Sequence, residues 1–160
     1  MINIPEEIMY FLRDQGFVIV STINSRGKIH CAAKDVISIE PEGRVILIDL
    51  YCNNTYKNLT RNPTVSITSV DEHRFMGFTL QGKAKLISSN DIKEEHLNKW
   101  EDKIIKRISS RVIKGVQAGM KSKKHYEIGL PRHPKYLIEI DVENIIDLAK
   151  PLNKPAKEAK

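Results

Sequence analysis

The sequence predicts a mainly β domain, a six-stranded antiparallel barrel with flanking helices. Six runs rich in β-branched and aromatic residues follow one another: Phe17–Ile23, Lys28–Glu40, Arg44–Leu50, Thr64–Val70, Phe75–Ser88 and Lys135–Val142. Short turns join the first five. A doubly wound parallel sheet would need a full helix between successive strands, and that alternation is missing. Closure of six strands removes exposed sheet edges, which favours a barrel over an open sheet.

The chain opens with a helix, marked by Pro5 near its start, by apolar Ile8, Met9, Phe11 and Leu12, and by Gly16 as its C-terminal stop. The first strand then turns through Asn24-Ser25-Arg26-Gly27 into the second, forming a hairpin. Pro41-Glu42-Gly43 starts the third strand, whose nearly unbroken apolar run predicts burial on both faces, at a core or an interface. Within the fifth strand Gly82 marks a bulge or a close backbone approach. Ser89-Asn90 is placed to cap a helix starting near Asp91 and running toward Gly115 or Gly119, with Ser109-Ser110 a possible break. Lys121 to Pro134 reads as a loop, and Ile145 and Ile146 as a short extension of the last strand. One domain, residues 1–150, is expected, with a helical insertion at about 90–124 and a disordered basic tail, 151–160.

Composition removes several classes. No apolar run approaches the roughly 18 residues that cross a bilayer, and the N-terminus lacks a basic region followed by an apolar one, so a cytoplasmic protein is expected. Cys31 and Cys52 fit no Cys-x-x-Cys pattern, and the histidines His30, His73, His96, His125 and His133 are scattered without ligand spacing; no metal site is predicted. No Gly-x-Gly-x-x-Gly or Walker loop is present. The formal charge of +6 is local: Lys99 to Lys124 holds nine Lys or Arg against two acids. That segment also carries Trp100, Ile104, Ile108, Val112 and Val116 at helical spacing, so its cations suit the solvent face of an amphipathic helix.

The connection between the third and fourth strands, Asn53 to Pro63, carries the chemistry. Thr55 reads as the N-cap of a helical turn, which would leave the following backbone N–H groups pointing at an anion. Lys57 falls in the first turn, where the helix dipole disfavours a cation unless an anion accompanies it. A solvated turn is the alternative; a phosphate site is the reading that explains the misplaced charge.

The succession Gly27-Lys28-Ile29-His30, Arg44 to Leu50, Thr55 to Ile67 and Phe78 to Ala84 resembles the FMN-binding split-barrel family related to pyridoxamine 5'-phosphate oxidase. The resemblance covers about residues 5 to 90, with the last strand as the sixth of the barrel. It implies a homodimer with FMN in grooves at the subunit interface. It also implies Lys57 at the FMN phosphate, with Thr55, Tyr56 and Asn58 beside it, and Ala33, Lys34, Ile48, Asp49 and Leu50 along the rest of the cofactor. Without the resemblance, Lys34 would be a solvated strand residue, Asp49 a polar strand end, and Ile48 and Leu50 ordinary core.

The chain departs from vitamin B6 oxidases proper. Tyr56 precedes Lys57, and the last strand lacks their Trp and Arg, so that activity is not expected. The implied function is a flavin-dependent oxidoreductase or flavin reductase acting on a small substrate, with NAD(P)H a candidate donor; no catalytic acid, base or nucleophile is legible. Rival readings are a deazaflavin or haem in the same fold, and a nucleic-acid-binding module using the basic helix 99–124. The second lacks aromatic residues interleaved with its charges for base stacking.

Overall fold

The computed structural model describes residues 1–50, 52–117 and 134–149. Six strands form within them: β1 (Phe17–Ile23), β2 (Ile29–Glu40), β3 (Arg44–Asp49), β4 (Thr64–Asp71), β5 (Met76–Ser88) and β6 (Tyr136–Asp147). All pairings are antiparallel, and the sheet closes in the order β1-β2-β3-β6-β5-β4, with Val20 opposite Ile67 at the closure. Three helices flank it: α1 (Glu6–Gln15), α2 (Asn54–Arg61) and α3 (Glu94–Gln117).

Alternation puts Val18, Val20, Val65, Ile67, Leu80, Ile138 and Ile140 inside the barrel, where Phe11 and Leu12 of α1 join them. Phe11 meets Phe78 edge to face, with ring centroids 5.2 Å apart. Helix α1 ends as its sequence predicts, on Gly16 in the left-handed conformation at φ 75°. The two-sided apolar character of β3 is also explained. Val45 and Leu47 point into the barrel, whereas Ile46 and Ile48 join Trp100, Ile37 and Leu137 in a second cluster outside it.

Gly82 fulfils both parts of its expectation. The β5–β6 register shifts between Gln81 and Gly82, and a Cβ at Gly82 would collide with the backbone carbonyl oxygen of Asp141.

Two expectations are corrected. The helix after β5 does not start near Asp91: Ser89–Asp91 is a single 3-10 turn, with Ser88 Oγ donating to Asp91 Oδ2 at 2.6 Å, and α3 starts at Glu94. Glu94 and Glu95 in its first turn suit the positive end of the helix dipole. Nor does α3 break at Ser109-Ser110, because exposed serines cost a helix only a few tenths of a kcal/mol each, roughly, against Ala. The expected loop from Lys121 falls outside the described residues up to residue 133, as does the tail 151–160. No described helix is long and apolar enough to cross a membrane.

Candidate functional site

Helix α2 is where the structure revises the sequence reading most. The N-cap is Asn53, not Thr55, and its side chain makes no capping hydrogen bond. The first helical bond runs from Lys57 N–H to the Asn53 carbonyl at 3.1 Å, so the amides of Asn54, Thr55 and Tyr56 precede the hydrogen-bonded ladder. Thr55 instead turns inward and is 2% exposed, because α2 anchors to the barrel through Thr55, Asn58 and Leu59. Asn58 Nδ2 donates to Thr22 Oγ1 at 3.0 Å, and the Arg61 guanidinium donates to the Ile23 carbonyl at 2.5 Å. These bonds fix α2 against the end of β1.

Facing α2 stands the β1–β2 turn. Asn24 Oδ1 accepts from the backbone N–H groups of Arg26 and Lys28 at 2.9 and 3.0 Å, while Gly27 takes φ 72°. The short polar side chain of Asn24 thereby shapes a turn that holds up two cations. Between turn and helix lies a cleft of about 340 Å3, lined by Asn24, Ser25, Arg26, Lys28, His30, Asn54, Lys57, Asn58 and Arg61. Asn54, Lys57, Asn58 and Arg61 are spaced i, i+3, i+4 and i+7, so a single face of α2 supplies them. The lining contains no carboxylate. Such a donor set matches an anion, and a phosphate in particular.

Of the residues singled out in the sequence, Lys57 and Asn58 line this cleft; Arg26, Lys28 and Arg61, which line it too, were not among them. Their signal was present in the alternation of cations with Asn and Gly across the turn, but only the fold brings turn and helix together. Tyr56 packs edge to face on Tyr136, with centroids 4.9 Å apart.

Lys34 and Asp49 meet. Their ion pair spans 2.7 Å, with Asp49 buried and Lys34 12% exposed, and the Tyr136 hydroxyl also donates to Asp49 Oδ2. Burial first, and then the hydrogen bond to Asp49, holds the Tyr136 hydroxyl far above the usual phenol range. His30 and Lys34 lie four residues apart on β2, a separation of roughly 13 Å at about 3.3 Å per residue. Ile48 and Leu50 pack in the cluster around Trp100. Ala33 is exposed on the opposite face of β2, next to Ile19 of β1. Among the described residues no three His, Cys, Asp or Glu side chains group as a metal site.

A closed six-stranded antiparallel barrel with flanking helices and a basic cleft between α2 and the β1–β2 turn defines a split-barrel protein. The chain belongs to the pyridoxamine 5'-phosphate oxidase family, whose model matches residues 4–148. Solved structures agree on the fold. HupZ of Group A Streptococcus is 18% identical, with a TM-score of 0.61 over 92% of this chain and 96% of that one. A protein of Lactobacillus delbrueckii described as a putative pyridoxamine 5'-phosphate oxidase is 12% identical, with a TM-score of 0.58 over 90% and 93% of the two chains. A structure described as an F420 reductase is 10% identical, with a TM-score of 0.56 over 89% and 98%. No curated protein sequence matches the chain.

Proposed function

We propose that this chain is an FMN-binding flavoprotein, a flavin-dependent oxidoreductase or flavin reductase that works as a homodimer. The observation that carries this reading is the acid-free cleft between α2 and the β1–β2 turn, with Lys57 and Asn58 among its lining. Lys57 supplies a point charge for a monophosphate, with Asn54 and Asn58 of the same helix face as polar neighbours. Tyr56, Lys34 and Asp49 are candidates for the remainder of the cofactor. FMN supplies hydride or electron transfer; the chain binds it, orients it and sets its electrostatic surroundings.

The homodimer is supported by the outer face of the barrel. Cross-strand rows run Ala33, Ile19, Thr68, Thr79, Ile146 and Cys31, Ser21, Ser66, Gln81, Asn144, ten residues without a formal charge. Ile29 beside them is 75% exposed and Phe17 52%. An uncharged sheet face of this breadth suits a second copy of the chain, and Ala33 within it is one of the candidate cofactor contacts.

The test is the visible spectrum of the purified protein, with mass spectrometry of whatever denaturation releases. Bound FMN, and a Kd that rises about tenfold in Lys57→Gln as one charge-assisted hydrogen bond is lost, is the expected result. Colourless protein that leaves the spectrum and fluorescence of added FMN unchanged overturns the proposal, and a released deazaflavin or haem replaces FMN by that cofactor. NAD(P)H oxidation by the flavin-loaded protein, compared with free FMN, distinguishes an enzyme from a carrier.

A further inference from the structure

The cleft carries more cationic groups than one phosphate requires. Lys57 and Arg61 stand one turn apart on α2, and Arg26 and Lys28 stand on the opposing β1–β2 turn. Among the described residues none of the four pairs with a carboxylate. Like charges at i, i+4 on a helix repel, and two more cations across a narrow cleft add to that cost unless a ligand neutralises them. A volume of about 340 Å3 is at the lower end of the range for small-molecule sites, roughly 300–1,000 Å3. The cations also come as two pairs on two separate elements, Lys57 and Arg61 on α2 and Arg26 and Lys28 on the β1–β2 turn.

We infer that the cleft recognises a diphosphate, with one phosphoryl group on Lys57 and Arg61 and the other on Arg26 and Lys28. The ligand class is thus a diphosphate-bearing nucleotide. Its diphosphate can belong to the flavin, as in FAD, or to a nicotinamide dinucleotide that takes the cleft in place of the flavin phosphate. The inference rests on the cleft being the anion site proposed above, but not on the flavin itself.

The experiment is calorimetric titration of the full chain, at fixed ionic strength, with ADP, AMP, pyrophosphate and phosphate, followed by FAD, FMN and NADPH. Pyrophosphate and ADP are expected to bind at least about tenfold more tightly than phosphate and AMP, the gain from one further charge-assisted contact. The double variant Arg26→Gln, Lys28→Gln, with an unchanged circular dichroism spectrum, is expected to reduce ADP to the level of AMP. FAD binding more tightly than FMN assigns the diphosphate to the cofactor. NADPH competing with ADP, with FMN and FAD equal, assigns it to the donor. Equal affinity for ADP and AMP overturns the inference, as does an ADP preference that survives the double substitution, or affinity that climbs with polyphosphate chain length as on an unstructured basic surface. Preference for ADP without any flavin binding upholds the diphosphate site and sinks the flavoprotein reading alone.

Discussion

Asp49 shows how one residue can be legible in type and illegible in role. Its place at the end of an apolar strand suggests either a solvent-facing polar residue or a ligand contact, but the fold buries it and surrounds it with the Lys34 ammonium and the Tyr136 hydroxyl. Removing the carboxylate strands both partners. Asp49→Leu is expected to cost about 3 kcal/mol in urea unfolding, the scale for a buried pair that loses one member, and Tyr136→Phe about 1 kcal/mol. A cost for Asp49→Leu below about 0.5 kcal/mol would show that Lys34 and Tyr136 do not depend on the carboxylate. His96 adds a titration. It is 7% exposed, and burial, reinforced by Lys99 and Lys93, holds its imidazole below the usual histidine range, with Glu95 and Glu40 opposing the shift. The unfolded chain therefore takes up the proton more readily than the folded one. Stability is full above the unfolded value near pH 6.5 and falls as the pH drops through and below it. The urea midpoint should decline between pH 7.5 and 5.5 in the native chain, and His96→Leu should flatten that decline; an unaltered slope in the variant would assign it to other groups.

Among the elements, α1, β1, β3 and β6 were legible because their apolar spacing or stop signals coincide with their burial. Helix α2 was legible in existence but not in register. Thr and Asn are both good caps, and only packing chose Asn53, by drawing Thr55, Asn58 and Leu59 onto the barrel. Helix α3 runs on through Ser109-Ser110, since the helix propensity of two serines is too small a cost to stop it. Gly82 is the case in which the sequence signal and the structural demand coincide. Gly82→Ala places a methyl group against the Asp141 carbonyl of the neighbouring strand, where neither backbone can move without disturbing the β5–β6 ladder. A loss of at least about 2 kcal/mol is expected in chemical denaturation, and an alanine variant as stable as the parent would refute the close approach.

For the whole molecule, the two uncharged central rows on the outer face of β2, β1, β4, β5 and β6 make a further prediction. Ile19, 38% exposed near its centre, contributes little to the monomer, so Ile19→Glu should leave the melting temperature of the barrel within a few degrees and convert a dimer to a monomer in sedimentation analysis. An unchanged mass would place any interface elsewhere. The sequence by itself determined the strand count, the antiparallel class, the two-sided burial of β3 and the presence of a polar, cationic connection before Pro63, because each follows from local periodicity and turn chemistry that a short window contains. Only the tertiary structure decided what covers β3, which residue caps α2, and that Arg26 and Lys28 face Lys57 and Arg61 across one cleft. Those are contacts between segments some thirty residues or more apart, and the closure of the barrel, which no local pattern encodes, brings them together.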